Sequence, residues 1–434
     1  MTGSGPPRLV VYSQDGLGLG HQRRTTLLAS DFLAAKAGSS VLTISDSPLG
    51  QFFSTSMGHD YLKLPSIHKV GPGEWLPLSL PLSFSEVLKM RREIIRSAVL
   101  NFAPDVLLVD HMPHGAMGEL VPTLEALKST GTKVVLGLRD ILDAPSVVRR
   151  RWQLEGAFDA VERYFHDVLV YGSRDVFDMS VEYNLPEGVS RRLRYCGYVC
   201  SSPASTRLAD GLRKRYLRQR GSADLIVAMA GGGADASELF TTLLSAVPAI
   251  NAERPCVVVI VTGPFFPRAE HRKLVRLARQ LPVHVISSVH DSLTYLGAAD
   301  LVIGMAGYNT TAEILMLDKP ALLVPRSGPS AEQRMRAKLF ADRGWVSWLP
   351  PEQLSPPELA EATVTALANG HHRTFSPDLQ GRQNAALHLT TRLNRAGGNG
   401  TEPLTVDGHS SFPRSTSMTS ADAPARSQQR RSGG

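Results

Sequence analysis

Short runs of β-branched and aliphatic residues alternate with longer amphipathic stretches along most of this chain, and the alternation stops once and then restarts. Strands separated by helices cannot pair as hairpins, so they cross over through the helices into a parallel sheet. In the first half the pattern predicts strands over 9–13, 41–45, 106–110, 133–138 and 168–171, with helices over 21–37, 84–102 and 120–129. It resumes with strands over 225–230, 257–262, 284–287, 301–304, 321–325 and 346–348. The expected class is α/β, with two doubly wound Rossmann-like domains facing each other across a cleft. A length of 434 residues fits this, because one core rarely serves so long a chain.

The expected division is an N-terminal domain over 1–199, a linker with a short basic helix over 200–222 and a C-terminal domain over 223–375. A helix over 376–398 is expected to pack back toward the first domain, and 399–434 reads as a disordered tail. Beyond Asn399 the chain is dominated by Ser, Gly, Pro, Thr and Arg, which bury too little apolar surface to offset ordering entropy.

An apolar fraction of 42% and a charged fraction of 20% allow a sizeable core. The net charge of +7 attracts polyanions in general. The arginines nevertheless fall in small groups without a nucleic-acid motif or interleaved aromatics, so no nucleic-acid partner is expected. Three cysteines, Cys196, Cys200 and Cys256, make neither a disulfide framework nor a paired metal site, which suits a reducing cytoplasm. No apolar run approaches the ~20 residues that span a bilayer, and the apolar stretch at 9–12 is too short for a signal-peptide core. The expected location is the cytoplasm, with peripheral contact at the inner face of the membrane left open.

The chemistry concentrates in a few segments. The first strand runs into Gln14-Asp15-Gly16-Leu17-Gly18-Leu19-Gly20-His21 before a helix begins, so the backbone there lets a ligand come close to free N–H groups. Gly18 and Gly20 are expected at an acceptor or phosphate, unless they serve only a tight turn. His21, where the helix opens, is placed to take a proton from a hydroxyl; its alternative is a local cap. Asp110, closing a strand, is the other cleft residue with base chemistry. Arg23 and Arg24 oppose the dipole of their helix, which calls for an anionic ligand or for salt bridges to Asp140 or Asp143. Arg139 joins them as a phosphate or acceptor contact. His111 and His114 lack a visible third ligand, and no metal is expected.

A second glycine cluster, Gly231-Gly232-Gly233, ends the first strand of the second half and can cradle a diphosphate through backbone N–H groups. Further on comes Gly304-Met305-Ala306-Gly307-Tyr308-Asn309-Thr310-Thr311-Ala312-Glu313, followed by Glu332-Gln333. Asn309 or Thr310 could cap a helix that carries Glu313 about one turn in, where its carboxylate could accept from a ribose diol or close a capping box.

Together the loop over 16–21, the stretch over 304–313 and Glu332-Gln333 resemble the signature of the MurG-like glycosyltransferases, whose namesake adds N-acetylglucosamine to a lipid-linked precursor. Gly20-His21-Gln22-Arg23-Arg24 and Leu138-Arg139-Asp140-Ile141-Leu142-Asp143 are closer still to a bacterial group of predicted glycosyltransferases. The resemblance implies a GT-B fold, a nucleotide-sugar donor on the C-terminal domain, an acceptor on the N-terminal one, inversion at the anomeric carbon, and no metal or cofactor. It assigns Gly232 and Gly233 to the diphosphate turn, Glu313 to the ribose and Gln333 to the donor sugar. Ser288 and Val289 fall where the main chain meets uracil, and Gly307, Asn309 and Thr310 lie in the motif that approaches the phosphates. The first loop departs from the family's Gly-Gly pairs at Leu17 and Leu19, and Glu332-Gln333 lacks the family's histidine. The donor implied is a UDP-sugar, UDP-N-acetylglucosamine among them, and the acceptor is open: a small molecule, a glycan or a lipid-linked one. The competing readings are a nucleotide-sugar 2-epimerase on the same fold and a non-catalytic nucleotide-sugar-binding subunit.

Overall fold

The computed structural model describes residues 5–14, 20–47, 56–71, 74–202, 205–370 and 377–394. Gly18, most of the first glycine loop and the tail over 399–434 lie outside them. In chain order the first half contains β1 (Arg8–Ser13), α1 (Gly20–Ala35), β2 (Ser40–Ser45), β3 (His59–Lys63), β4 (Ile67–Gly71), β5 (Glu74–Pro77), α2 (Phe84–Phe102) and β6 (Val106–Asp110). It continues with α3 (Val121–Leu127), β7 (Lys133–Arg139), α4 (Pro145–Leu154), α5 (Ala157–Tyr164), β8 (Asp167–Tyr171), α6 (Met179–Glu182), α7 (Glu187–Ser190) and β9 (Leu193–Tyr195). The second half begins with α8 (Thr206–Tyr216), β10 (Asp224–Met229), α9 (Ser237–Glu253), β11 (Cys256–Val261), α10 (Arg268–Leu277), β12 (Val283–Ile286) and α11 (Ser292–Ala298). It ends with β13 (Leu301–Gly304), α12 (Tyr308–Met316), β14 (Ala321–Leu323), α13 (Glu332–Ala341), β15 (Ser347–Trp348), α14 (Pro356–Asn369) and α15 (Gly381–Asn394).

Both halves form parallel sheets, ordered β3-β2-β1-β6-β7-β8-β9 and β12-β11-β10-β13-β14-β15. The strands are buried on both faces, which is why β6 reads Val-Leu-Leu-Val-Asp and β11 Cys-Val-Val-Val-Ile-Val without polar alternation. Strand order reverses at β1/β6 in one sheet and β10/β13 in the other, and ligands of such sheets bind in the crevice outside the carboxyl ends there. This is the GT-B architecture expected from the sequence.

A hydrophobic cluster runs through both halves, from Leu9 and Phe32 by way of Tyr198 to Val227, Tyr308 and Phe340. The helix α15 lies against α1, held by the Arg382 guanidinium on Asp31 (Nε to Oδ2, 2.9 Å). The basic segment after residue 200 contains α8, whose Arg213 reaches Asp300. The pattern missed the edge strand β3 and the β4–β5 hairpin, where short strands carry mixed polarity. The stretch after Trp75 leaves Leu76, Leu78, Leu80 and Leu82 exposed and ends at Ser83, which closes a capping box with Glu86 on α2.

Candidate active site

Asp110 is the last residue of β6 and is wholly buried, so its charge needs partners. Arg24 supplies a fork: Nε lies 3.1 Å from Oδ2, and Nη2 lies 2.9 Å from both carboxylate oxygens. Arg24 is itself buried, with its guanidinium over the rings of Tyr171 and Tyr308. One helical turn earlier, His21 places Nδ1 2.7 Å from Asp110 Oδ1. A carboxylate only accepts, so Nδ1 carries the proton that is shared with Asp110. The Arg24 Nη2 atom, 2.8 Å from His21 Nδ1, is then a contact between two donors rather than a hydrogen bond.

Burial alone would raise the Asp110 carboxyl, but Arg24 and His21 beside it hold it well below the usual carboxylate range. Such a group is a weak base. Asp110, named from the sequence as a second base, thus stands between Arg24 and His21. The His111 ring stacks on His21 at 4.1 Å and 9°, and burial, with His21 next, pushes it well below the ordinary histidine range, so it stays neutral. Metal-ligating atoms of His21, Asp110 and His111 lie within 4.8 Å of one another, and His114 is not among them. Arg24 already engages both oxygens of Asp110 and crowds His21 Nδ1, which leaves a poor donor set for a divalent cation.

Across the cleft, the turn after β10 holds Gly231 and Gly233 at φ 59° and 87°. A Cβ at Gly233 would run into the Thr262 carbonyl, so that glycine serves the packing of the neighbouring turn, whereas Gly231 has open space around it. Gly307 caps α12 with no side-chain hydrogen bond, so neither Asn309 nor Thr310 takes the capping place given to them above. The first turn of α12 thus has no side-chain cap. Asn309 Nδ2 donates instead to the Gly20 carbonyl at 3.1 Å, joining the start of α1 to the start of α12.

Glu313 is buried on α12, and its Oε1 receives Arg23 Nη2 at 2.6 Å and Ser201 Oγ at 3.2 Å. Neither partner belongs to its own helix end, which rules out the capping box. Burial raises the Glu313 carboxyl above the usual range, and Arg23 and Ser201 oppose the rise. Arg23 also donates to Ser292 Oγ at 3.2 Å. The Gln333 side chain accepts from the Arg326 N–H at 3.2 Å. Ser288 and Val289 line an open groove of about 640 Å³ with Arg207, Leu208 and His290.

The salt bridges to Asp140 and Asp143 offered for Arg23 and Arg24 do not form; their partners are Glu313 and Asp110. Asp140 is taken by Arg336 of α13, Nε to Oδ2 at 2.9 Å and Nη2 to Oδ1 at 2.7 Å, in a buried pair across the two halves. Arg336 also donates to the carbonyl of Ala306, a residue at φ 59° in the loop before α12. Asp143 accepts from the Ala331 N–H at 2.8 Å. Arg139 pairs with Glu332 at 2.8 Å and borders a cavity of about 220 Å³ that starts at His111. The Arg336–Asp140 strut and the His21–His111 stack escaped the sequence reading. Asp140 lay within a quoted motif, but a partner 196 positions away leaves no local signal.

Residues 226–388 match the model of the glycosyltransferase family 28 C-terminal domain. The UDP-N-acetylglucosamine–N-acetylmuramyl-(pentapeptide) pyrophosphoryl-undecaprenol N-acetylglucosamine transferase of Natranaerobius thermophilus is 24% identical over 150 residues, 33% of this chain and 40% of that protein. The same enzyme of Shouchella clausii is 33% identical over 112 residues, 25% of this chain and 31% of that one. The chain thus matches well under half the length of these curated relatives. Among solved structures, MurG of Acinetobacter baumannii superposes with a TM-score of 0.54 at 16% identity, covering 90% of this chain and all of that one. A Polygonum tinctorium UDP-glucosyltransferase capable of glucosylating indoxyl gives 0.59 at 12% identity, covering 91% and 95%. The MurG-like resemblance read from the motifs is matched by the family model, the relatives and the fold. No helix among the described residues is long and apolar enough to cross a membrane.

Proposed function

We propose that this protein is an inverting, metal-independent glycosyltransferase that moves a sugar from a nucleotide diphosphate to an acceptor hydroxyl. The donor is a UDP-sugar, UDP-N-acetylglucosamine being the one in the names of the curated relatives. The reading rests on one observation above the others: a His21–Asp110 dyad at the switch point of one sheet, tied through Gly20 and Asn309 to the start of α12 in the other.

His21 Nε2 takes the proton of the acceptor hydroxyl as its oxygen attacks the anomeric carbon. The bond from that carbon to the diphosphate breaks on the opposite face, so a single displacement inverts the centre. The negative charge of the leaving nucleoside diphosphate is met by the start of α12, where Gly307 brings no side chain, and by the turn at Gly231 to Gly233, which lets the reaction run without a cation. Glu313 has its Oε1 occupied and offers Oε2 to the ribose diol, Ser288 and Val289 present main chain to the uracil, and Gln333 reads sugar hydroxyls.

His21→Gln tests this directly. Turnover should fall by about 10²- to 10⁴-fold with UDP affinity unchanged, and the acidic limb of the pH–rate profile should vanish. Wild-type turnover in the variant would remove His21 from the reaction.

A further inference from the structure

The sheet of the second half ends at β12. Its neighbour β11 is buried along its whole length, whereas Val283, Val285 and Ile286 of β12 are half-buried and His284 is exposed. β12 pairs with β11 on one side and with no strand among the described residues on the other. The N–H groups of Val258 and Thr262 bond to the carbonyls of Pro282 and Ile286. Backbone groups alternate along a strand, so the carbonyls of Val283 and Val285 and the N–H of Val285 turn away from the sheet. A groove of about 640 Å³ runs there between α8 and α10. Successive side chains of β12 point to opposite faces, which gives the groove two unlike walls. On one, the Tyr216 ring of α8 packs on His284 at 4.9 Å and on Tyr295 at 6.4 Å. On the other stand Val275 of α10 and Arg279 of the turn after it, with Arg272 and Arg276 in the adjoining hollow.

The charge of this face has one sign. Arg215, Arg272, Arg276 and Arg279 are exposed, and none of them forms an ion pair among the described residues. Of the carboxylates on the flanking helices, Glu270 pairs with Lys273, Asp291 caps α11 and Asp210 acts on Lys319. Charges beside an edge strand deter pairing between like chains, and a second copy brought up to β12 would set these arginines against their own kind. The segment of this chain beyond Asn399 suits the groove no better, with four arginines against Glu402, Asp407 and Asp422.

We propose that β12 is a docking edge for an acidic, extended segment of a partner protein, which joins the sheet as a further strand. Main-chain hydrogen bonds to Val283 and Val285 hold the segment, and its alternate side chains decide which segment is taken. Carboxylates at every second position meet Arg276 and Arg279, and the apolar residues between them rest on Tyr216 and Tyr295.

The test uses the full chain and a fluorescein-labelled Glu-Val-Glu-Val-Glu-Val-Glu peptide. Fluorescence anisotropy should show saturable binding, and hydrogen exchange at the Val285 amide should slow as the peptide binds. Glu-Pro-Glu-Pro-Glu-Pro-Glu carries the same charge but cannot pair as a strand, and should bind at least about tenfold more weakly. Arg276→Glu/Arg279→Glu reverses two exposed charges and should weaken the first peptide by about tenfold or more, with UDP affinity unchanged. Equal binding of the two peptides would reduce the face to a general attraction for anions and overturn the proposal. Unchanged exchange at Val285, or indifference to the double substitution, would overturn it as well. So would failure of the first peptide to bind while phosphatidylglycerol vesicles sediment the protein but not the double variant, since the face would then serve a membrane surface.

Discussion

Replacing Asp110 by Asn separates the orienting carboxylate from the rest of the site. The substitution keeps the shape of the side chain but removes its charge, and two consequences follow from the geometry. The amide can no longer hold a proton on His21 Nδ1 as the carboxylate does at 2.7 Å, so the imidazole turns or adopts the other tautomer and Nε2 ceases to be a base. Loss of an orienting carboxylate behind a catalytic histidine costs up to about 10⁴-fold in turnover. Arg24, buried and forked onto Asp110, is meanwhile left with a half-satisfied charge. Removing one member of a buried pair costs about 3–5 kcal/mol, and the retained amide oxygen puts Asp110→Asn near the lower end.

The two effects come apart in Asp110→Asn/Arg24→Met, where the orphan cation is gone. Denaturant unfolding should show most of the lost stability restored, while turnover stays as low as in the single variant. The pH dependence gives an independent check. Asp110 is depressed in the folded state, so its contribution to stability is present above the ordinary carboxylate pKa of ~4 and is lost as pH falls below it. Asp110→Asn should therefore flatten the acid side of the stability curve. Recovery of turnover together with stability in the double variant would refute the orienting role, because the carboxylate would then matter only to the fold.

Arg23→Met should weaken UDP by about 1.5–3 kcal/mol, since Arg23 opposes the burial that raises the Glu313 carboxyl. With that opposition gone, UDP affinity measured by calorimetry should fall on acidification at a higher pH than in the wild type, and Arg23→Lys should restore part of it. Asp140→Asn should destabilise by about 3–5 kcal/mol in denaturant unfolding, because it breaks the buried Arg336 pair, whereas Asp140→Leu/Arg336→Met should return most of that loss.

The parallel sheets were legible because a strand buried on both faces must be a run of apolar residues, and β1, β6, β7, β10 and β11 are such runs. The bounds of α2 were legible from its amphipathic spacing, which runs from Phe84 to Phe102. What stayed hidden was set by tertiary packing: β3 at the sheet edge, and α4, where three consecutive arginines interrupt the apolar spacing.

Arg23 and Arg24 show where the limit lies. Two cations in the first turn of a helix are unfavourable by themselves, so the sequence announced that anions must be near. It could not name them, because Asp110 stands 86 positions from Arg24 and Glu313 lies in the other half of the chain. Once the fold supplies both partners, the oddity becomes a mechanism. A single helical turn carries the proposed base His21, Arg24 on the carboxylate beside it and Arg23 on the carboxylate proposed for the donor ribose. In that proposal donor and base are referred to one rigid element.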